Sequence, residues 1–149
     1  MTPLIWTLIP NTGIESGEIK ISFGQDRKAL NSIMSTKFVP PTDNGYPDED
    51  DFLTHDKSTF IRVRYDGNVV KDIEFLGGHL SYQGINLHAD TNFRQIQENF
   101  AKHKLSFRDT EWLGDGQDCA ALGINIATRD DVGGDGDEIE WVILSSAFE

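Results

Sequence analysis

Cysteine, basic charge and long apolar runs are all scarce in this chain. The single cysteine, Cys119, cannot close an internal disulfide. One thiol and four histidines also exclude a zinc site built on four cysteines, or on two cysteines and two histidines. That usage points to a reducing compartment such as a bacterial cytosol. The longest apolar run, Leu4-Ile5-Trp6-Thr7-Leu8-Ile9, follows no basic segment. At about six residues it is shorter than the roughly 7–15 of a signal sequence or the roughly 20 of a membrane span. It is expected to form a first strand or a packed terminal arm of a soluble, cytoplasmic protein. Basic residues are outnumbered: 13 Lys and Arg against 25 Asp and Glu leave a formal net charge of −12. Such a surface repels nucleic acid and anionic membrane and draws in basic partners by fast, salt-sensitive association.

What is present suffices for a folded domain. With 149 residues and 38% hydrophobic content, the chain can bury roughly 68–70% of its unfolded surface without staples. One domain over residues 1–149 is expected. Its clearest local signal is Phe60–Phe75. Ile61, Val63 and Tyr65 alternate with Arg62 and Arg64, the period-2 pattern of a strand with one wet face. Asp66-Gly67-Asn68 supplies a turn, and Val69–Phe75 returns as a second strand. A reduced copy closes the chain: Ile124-Asn125-Ile126, a Gly/Asp-rich loop, then Ile139-Glu140-Trp141 echoing Ile73-Glu74-Phe75.

The echo extends further. Gly17–Gly24 alternates Ile19, Ile21 and Phe23, after which Asp26 stands as a helix N-cap. Ala29, Leu30, Ile33, Met34 and Phe38 form one apolar stripe that Pro40-Pro41 ends. In the second half Asp90 is the expected cap, with Phe93, Ile96, Phe100, Ala101 and Leu105 as the stripe. Ile21 to Ile85 spans 64 positions, Asp26 to Asp90 64, and Ile73 to Ile139 66. These offsets predict two similar halves, about residues 14–78 and 79–149. The expected fold is α+β, one mainly antiparallel sheet with two helices packed on one face.

Three connections carry the distinctive chemistry. Val39–Asp51 holds three prolines and five acids, Arg108–Asp118 occupies the same place in the second half, and Arg129–Glu138 joins the last two strands. Asp48, Glu49, Asp50 and Asp51, with Asp130, Asp131, Asp135, Asp137 and Glu138, put nine acids into two short clusters. Both clusters are expected to face solvent, largely unpaired within the chain. Tyr46 and Trp112 sit inside acidic loops without a stripe of their own, whereas Phe23, Phe75 and Trp141 read as core. An exposed aromatic among carboxylates makes an anchor-and-steering combination for a basic partner.

Catalytic and metal patterns are incomplete. His55, His79, His88 and His103 fall in no HxH or HExxH spacing, and no nucleophile elbow is present. A calcium loop set at Asp131 would require Glu at position 12 and finds Val142. No cofactor and no metal are expected, and the Asp130–Glu138 run reads as an acidic hairpin loop.

Gly-x-Ile-x-Ile-x-Phe-Gly with a capped helix, then Ile-x-Val-x-Tyr-Asp and Val-x-x-Ile-Glu-Phe, resembles a pattern seen in small bacterial immunity proteins. The doubled helix-on-sheet layout is similar to that of β-lactamase inhibitory proteins. The resemblance implies a non-enzymatic inhibitor that binds and blocks a basic toxin domain of a contact-dependent or polymorphic system, such as a nuclease. A monomer or weak dimer is expected, and the acidic charge argues against a nucleic-acid or membrane partner. Asp26 stands where a Ser cap would be expected, and no binding residue carries over by the resemblance. Two other readings stand beside it: a small hydrolase or nuclease using the histidines, and an acidic structural or assembly module.

Overall fold

A computed structural model describes residues 4–42, 45–110, 113 and 115–147. Among these, thirteen strands and two helices build an α+β architecture. Three short strands come first: β1 (Ile5–Ile9), β2 (Gly13–Ser16) and β3 (Ile19–Ser22). Helix α1 (Arg27–Met34) and strands β4 (Phe38–Val39), β5 (Glu49–Thr54), β6 (Phe60–Asp66) and β7 (Val69–Gly77) follow. The second part runs β8 (His79–Tyr82), β9 (Ile85–Asn86), α2 (Phe93–Lys102), β10 (Arg108–Asp109), β11 (Gln117–Cys119), β12 (Ile124–Thr128) and β13 (Ile139–Ser145).

The expectation of one sheet is corrected: there are two. An eight-stranded antiparallel sheet has the order β10-β11-β12-β13-β7-β6-β5-β4, and a five-stranded sheet the order β3-β2-β1-β8-β9. The divergence occurs at Gly78, whose φ of 119° is open to glycine but rarely to other residues. An added Cβ there would lie 3.1 Å from Thr59 Oγ1 and 3.2 Å from the Ser58 carbonyl. Beyond this turn the chain leaves β7's sheet, and β8 pairs in parallel with β1.

The central hairpin forms as its pattern predicts. β6 and β7 pair in antiparallel register through a turn in which Gly67 and Asn68 both have positive φ. Edges are kept short or blocked. Along the outer edge of β3, the Gln25 amide stands in for a missing strand, accepting from Ser22 N at 3.2 Å and donating to the Lys20 carbonyl at 3.3 Å.

Both helices form, with adjusted ends. Asp26 caps α1, accepting from Ala29 N at 3.1 Å. Its apolar stripe is shorter than expected: Leu30 and Met34 are buried, while Phe38 belongs to β4. The α2 cap is Asn92 rather than Asp90, its Oδ1 accepting from Gln95 N at 2.9 Å. Asp90 instead occupies a left-handed turn with φ 60°, where a short polar side chain is tolerated.

The echo of Ile73-Glu74-Phe75 in Ile139-Glu140-Trp141 fails in facing. A bulge sets Ala127 opposite Trp141 but Thr128 opposite Ile139, leaving Glu140 as the extra residue. Ile139 therefore joins the core, whereas Trp141 is only half-buried on the opposite face. One core cluster draws on both sheets and both helices, from Trp6, Ile14 and Leu80 to Met34, Phe52, Phe75, Phe100 and Val142.

A cut after residue 78 divides both the β1–β8 and the β7–β13 pairings. Neither fragment 1–78 nor fragment 79–149 is expected to show a cooperative thermal transition by circular dichroism. A sharp transition in either would show that a half holds an independent core.

Candidate functional site

The site is built from the two faces of β5 and β6. On the core side, β5 alternates Asp50, Phe52 and Thr54 inward, so a carboxylate enters the core beside Val63. Asp50 is only 8% exposed. An unpaired charge there would be very costly, and four donors meet it. Arg27 gives Nη2 at 2.8 Å and Nε at 3.1 Å, a fork matched to the carboxylate. Asn31 Nδ2 donates at 2.9 Å and Tyr65 Oη at 2.8 Å. Burial alone would raise the Asp50 carboxyl, but the bonds from Arg27, Asn31 and Tyr65 hold it below its ordinary 3.8. Burial and the bond to Asp50 push the Tyr65 hydroxyl far up, so it serves as a donor. The Arg27 guanidinium also lies 4.6 Å over the Tyr65 ring and donates to the Pro47 carbonyl at 2.7 Å.

The expectation of a free, solvent-facing Asp48–Asp51 cluster is thereby corrected for Glu49, Asp50 and Asp51, whereas Asp48 is exposed as expected. Glu49–Asp51 lie on a strand rather than a loop, because Asp50 occupies an inward position of the period-2 pattern. The outward positions are paired as well. Glu49 lies opposite Arg64, and Asp51 opposite Arg62; on the far side Arg62 faces Glu74 and Arg64 faces Asp72. Arg62 Nε reaches Asp51 at 2.7 Å, and Arg64 Nε reaches Glu49 at 2.8 Å. Each cation thus sits between carboxylates of both neighbouring strands, the cross-strand arrangement that favours opposite charges.

Tyr46 is exposed at 66%. It lines a cleft of about 420 Å³ with Arg27, Glu49 and Asp50, and a second of about 200 Å³ with Arg64, Lys71 and Asp72. Pro47, shared by both clefts, is tied to α1 through Arg27, which fixes the backbone beside the ring.

The 129–138 loop is exposed, as expected, yet internally ordered. Asp130 Oδ1 accepts from Gly136 N at 2.9 Å, and Asp131 Oδ2 from Thr128 N at 2.9 Å. Arg129 pairs with Glu138 at 3.1 Å. Asp135 and Asp137 are exposed, and the Asp137 carbonyl accepts from Phe93 N at the start of α2. Trp112 lies outside the described residues.

The remaining reactive groups are dispersed. His88 is held edge-on to Phe75 with Nε2 3.2 Å from the Glu140 carbonyl, and its burial lowers its pKa. His79 lies 3.9 Å from Asp90, and His55 and His103 are exposed. Cys119 is buried, which pushes its thiol up. Among the described residues no group of three or more His, Cys, Asp or Glu could hold a metal ion, and no helix is long and apolar enough to cross a membrane.

Sequence reasoning put Tyr46 and the 129–138 acids on the surface, but it misread Glu49–Asp51 as a free loop and missed Arg27, Asn31 and Glu74. The Arg62/Arg64 alternation was visible; its counter-charges come from strands distant in sequence. Comparison of the chain with protein-family models, with curated proteins and with solved structures finds no match.

Replacing Asp50 with Asn removes the charge that Arg27 answers and should destabilise the fold by about 2–3 kcal/mol. Because its folded pKa is depressed, Asp50 contributes stability above pH 3.8 that is lost as pH falls through the lower folded value. Urea unfolding from pH 7 to 2 should therefore show a smaller acid loss in Asp50→Asn than in the natural chain.

Proposed function

We propose that this chain is a binding protein of the immunity type, a non-enzymatic inhibitor that occludes a basic toxin domain in the cytoplasm. The observation that carries it is Tyr46, an exposed ring on a backbone held by Arg27, between two clefts walled by carboxylates. A pre-positioned aromatic loses little freedom on binding and suits an interface anchor. The net charge of −12 and the ordered loop bearing Asp130, Asp131, Asp135, Asp137 and Glu138 would steer a positive groove. A nuclease groove shaped for phosphate charge fits that chemistry.

The chain is also read as a single domain of two similar halves. In support, the strand order runs outward in the same sense from the central β7–β13 pair, as β6-β5-β4 on one side and β12-β11-β10 on the other. Each N-cap bridges the start of the last strand of its half, Asp26 with Val69, the first residue of β7, and Asn92 with Glu138, immediately before β13. The caps lie 66 positions apart, the same spacing as Ile73 to Ile139.

The test is association kinetics with the protein encoded immediately upstream, at low and high salt, together with protection of cells expressing that protein. Asp135→Asn with Asp137→Asn should slow association several-fold and flatten its salt dependence, leaving folding unchanged. Tyr46→Ala should act on dissociation, raising the off-rate about tenfold or more, as for a residue worth over 1.4 kcal/mol. Wild-type kinetics in both variants would place the interface elsewhere.

A further inference from the structure

We propose that Glu74 is a proton-operated tie on the outer face of the eight-stranded sheet, which on protonation releases its hold on Arg62 and Arg64 and changes the charge that face presents. Glu74 sits at the middle of β7, opposite Arg62 on β6 and opposite Ile143 on β13. Its counter-charges therefore come from one side only. β6 contributes Arg62 and Arg64, and β5 contributes Glu49 and Asp51 beyond them. Asp72 is on its own strand, and β13 supplies Ile143 and Ser145 without charge; Ser145 Oγ donates to Asp72 Oδ1 at 2.5 Å.

The two arginines have better partners than Glu74. Arg62 gives Nε to Asp51 at 2.7 Å and Nη2 to the same carboxylate at 3.3 Å. Its approach to Glu74 Oε2 is 3.7 Å, beyond hydrogen-bond reach. Arg64 holds Glu49 at 2.8 Å and Glu74 Oε1 at 3.2 Å. Glu74 is 6% exposed, and among the described residues its enclosed Oε2 finds no hydrogen-bond donor. A partner's ammonium or guanidinium has no access to so enclosed an oxygen, whereas a solvent proton added to Oε2 discharges the group in place. Burial pushes Glu74 above its ordinary 4.5, Glu49 and Asp72 push the same way, and Arg64 and Arg62 oppose without cancelling it.

Protonation has two consequences. Four carboxylates against two guanidiniums leave this patch with two negative charges, and a neutral Glu74 leaves one. Because the folded pKa is raised, stability is gained as pH falls through that value toward 4.5, before Asp50 begins to lose its contribution below 3.8. On the reading that the chain binds a basic protein, on which this consequence rests, acidification weakens attraction at this face. The titration itself requires no partner.

The experiment follows the Glu74 carboxyl carbon and the Arg62 and Arg64 Nε–H signals by NMR from pH 8 to 3, in the natural chain and in Glu74→Gln. The expected result is a Glu74 midpoint above 4.5, with both arginine signals moving at that midpoint and that movement lost in the variant. A Glu74 midpoint at or below 4.5 overturns the proposal, as do arginine signals that stay still through it or titrate equally in Glu74→Gln. If the variant does not fold, the natural chain's carboxyl and arginine curves decide alone. Since no partner is present, failure here is failure of the tie, while wild-type kinetics in the Tyr46 and loop variants defeats only the functional reading.

Discussion

A carboxylate on the core-facing side of β5 constrains much of the first part of the molecule. Asp50 faces the same interior as Phe52, Ile61 and Val63, and a charge there is tolerated only with its lone pairs filled. Filling them brings α1 onto the sheet, because Arg27 and Asn31 lie one turn apart on one helix face. It fixes Tyr65 as a donor and, through Arg27 and the Pro47 carbonyl, determines where Tyr46 stands. The same contacts that make burial of the charge tolerable thus hold the backbone beside the most exposed aromatic ring among the described residues.

The opposite face of the same strands solves a different problem. The carboxylates of β5 and β7 flank Arg62 and Arg64 there. Individual pairs of this exposure contribute little, but a register that alternates sign from strand to strand penalises slippage, since a shift by one residue would send guanidiniums into the core. Further along, Trp141 Nε1 donates to Asn125 Oδ1 at 2.8 Å, and the Asn125 amide donates to Asp118 Oδ1 at 2.9 Å. The face is therefore polar and organised across much of its width.

Two parts of the surface are held in place by the scaffold. Tyr46 is braced from α1, and the 129–138 loop is braced by its own aspartates and by α2. Rigid presentation lowers the entropy lost on association, and a surplus of negative charge raises the encounter rate without specifying a partner.

Local pattern alone determined a great deal. The alternation from Phe60 to Phe75, the Gly67-Asn68 turn, the Asp26 cap and the strand pair around the 129–138 loop are all short-range signals, and each appears where the residues place it. Tyr46 was legible as an exposed aromatic because turn residues surround it. The acidic run Asp48–Asp51 misled, since period-2 burial of a carboxylate looks like a solvated loop until its cation is known. That cation, Arg27, lies more than twenty positions away on another element. Trp141 misled for a related reason: a single extra residue, Glu140, reverses which face follows it. The division into two sheets was decided by Gly78 and the parallel partner β1, more than seventy residues upstream of β8. Composition and periodicity specify what each residue prefers locally; which charge meets which, and which face a bulged strand turns to water, depends on partners that only the folded chain brings together.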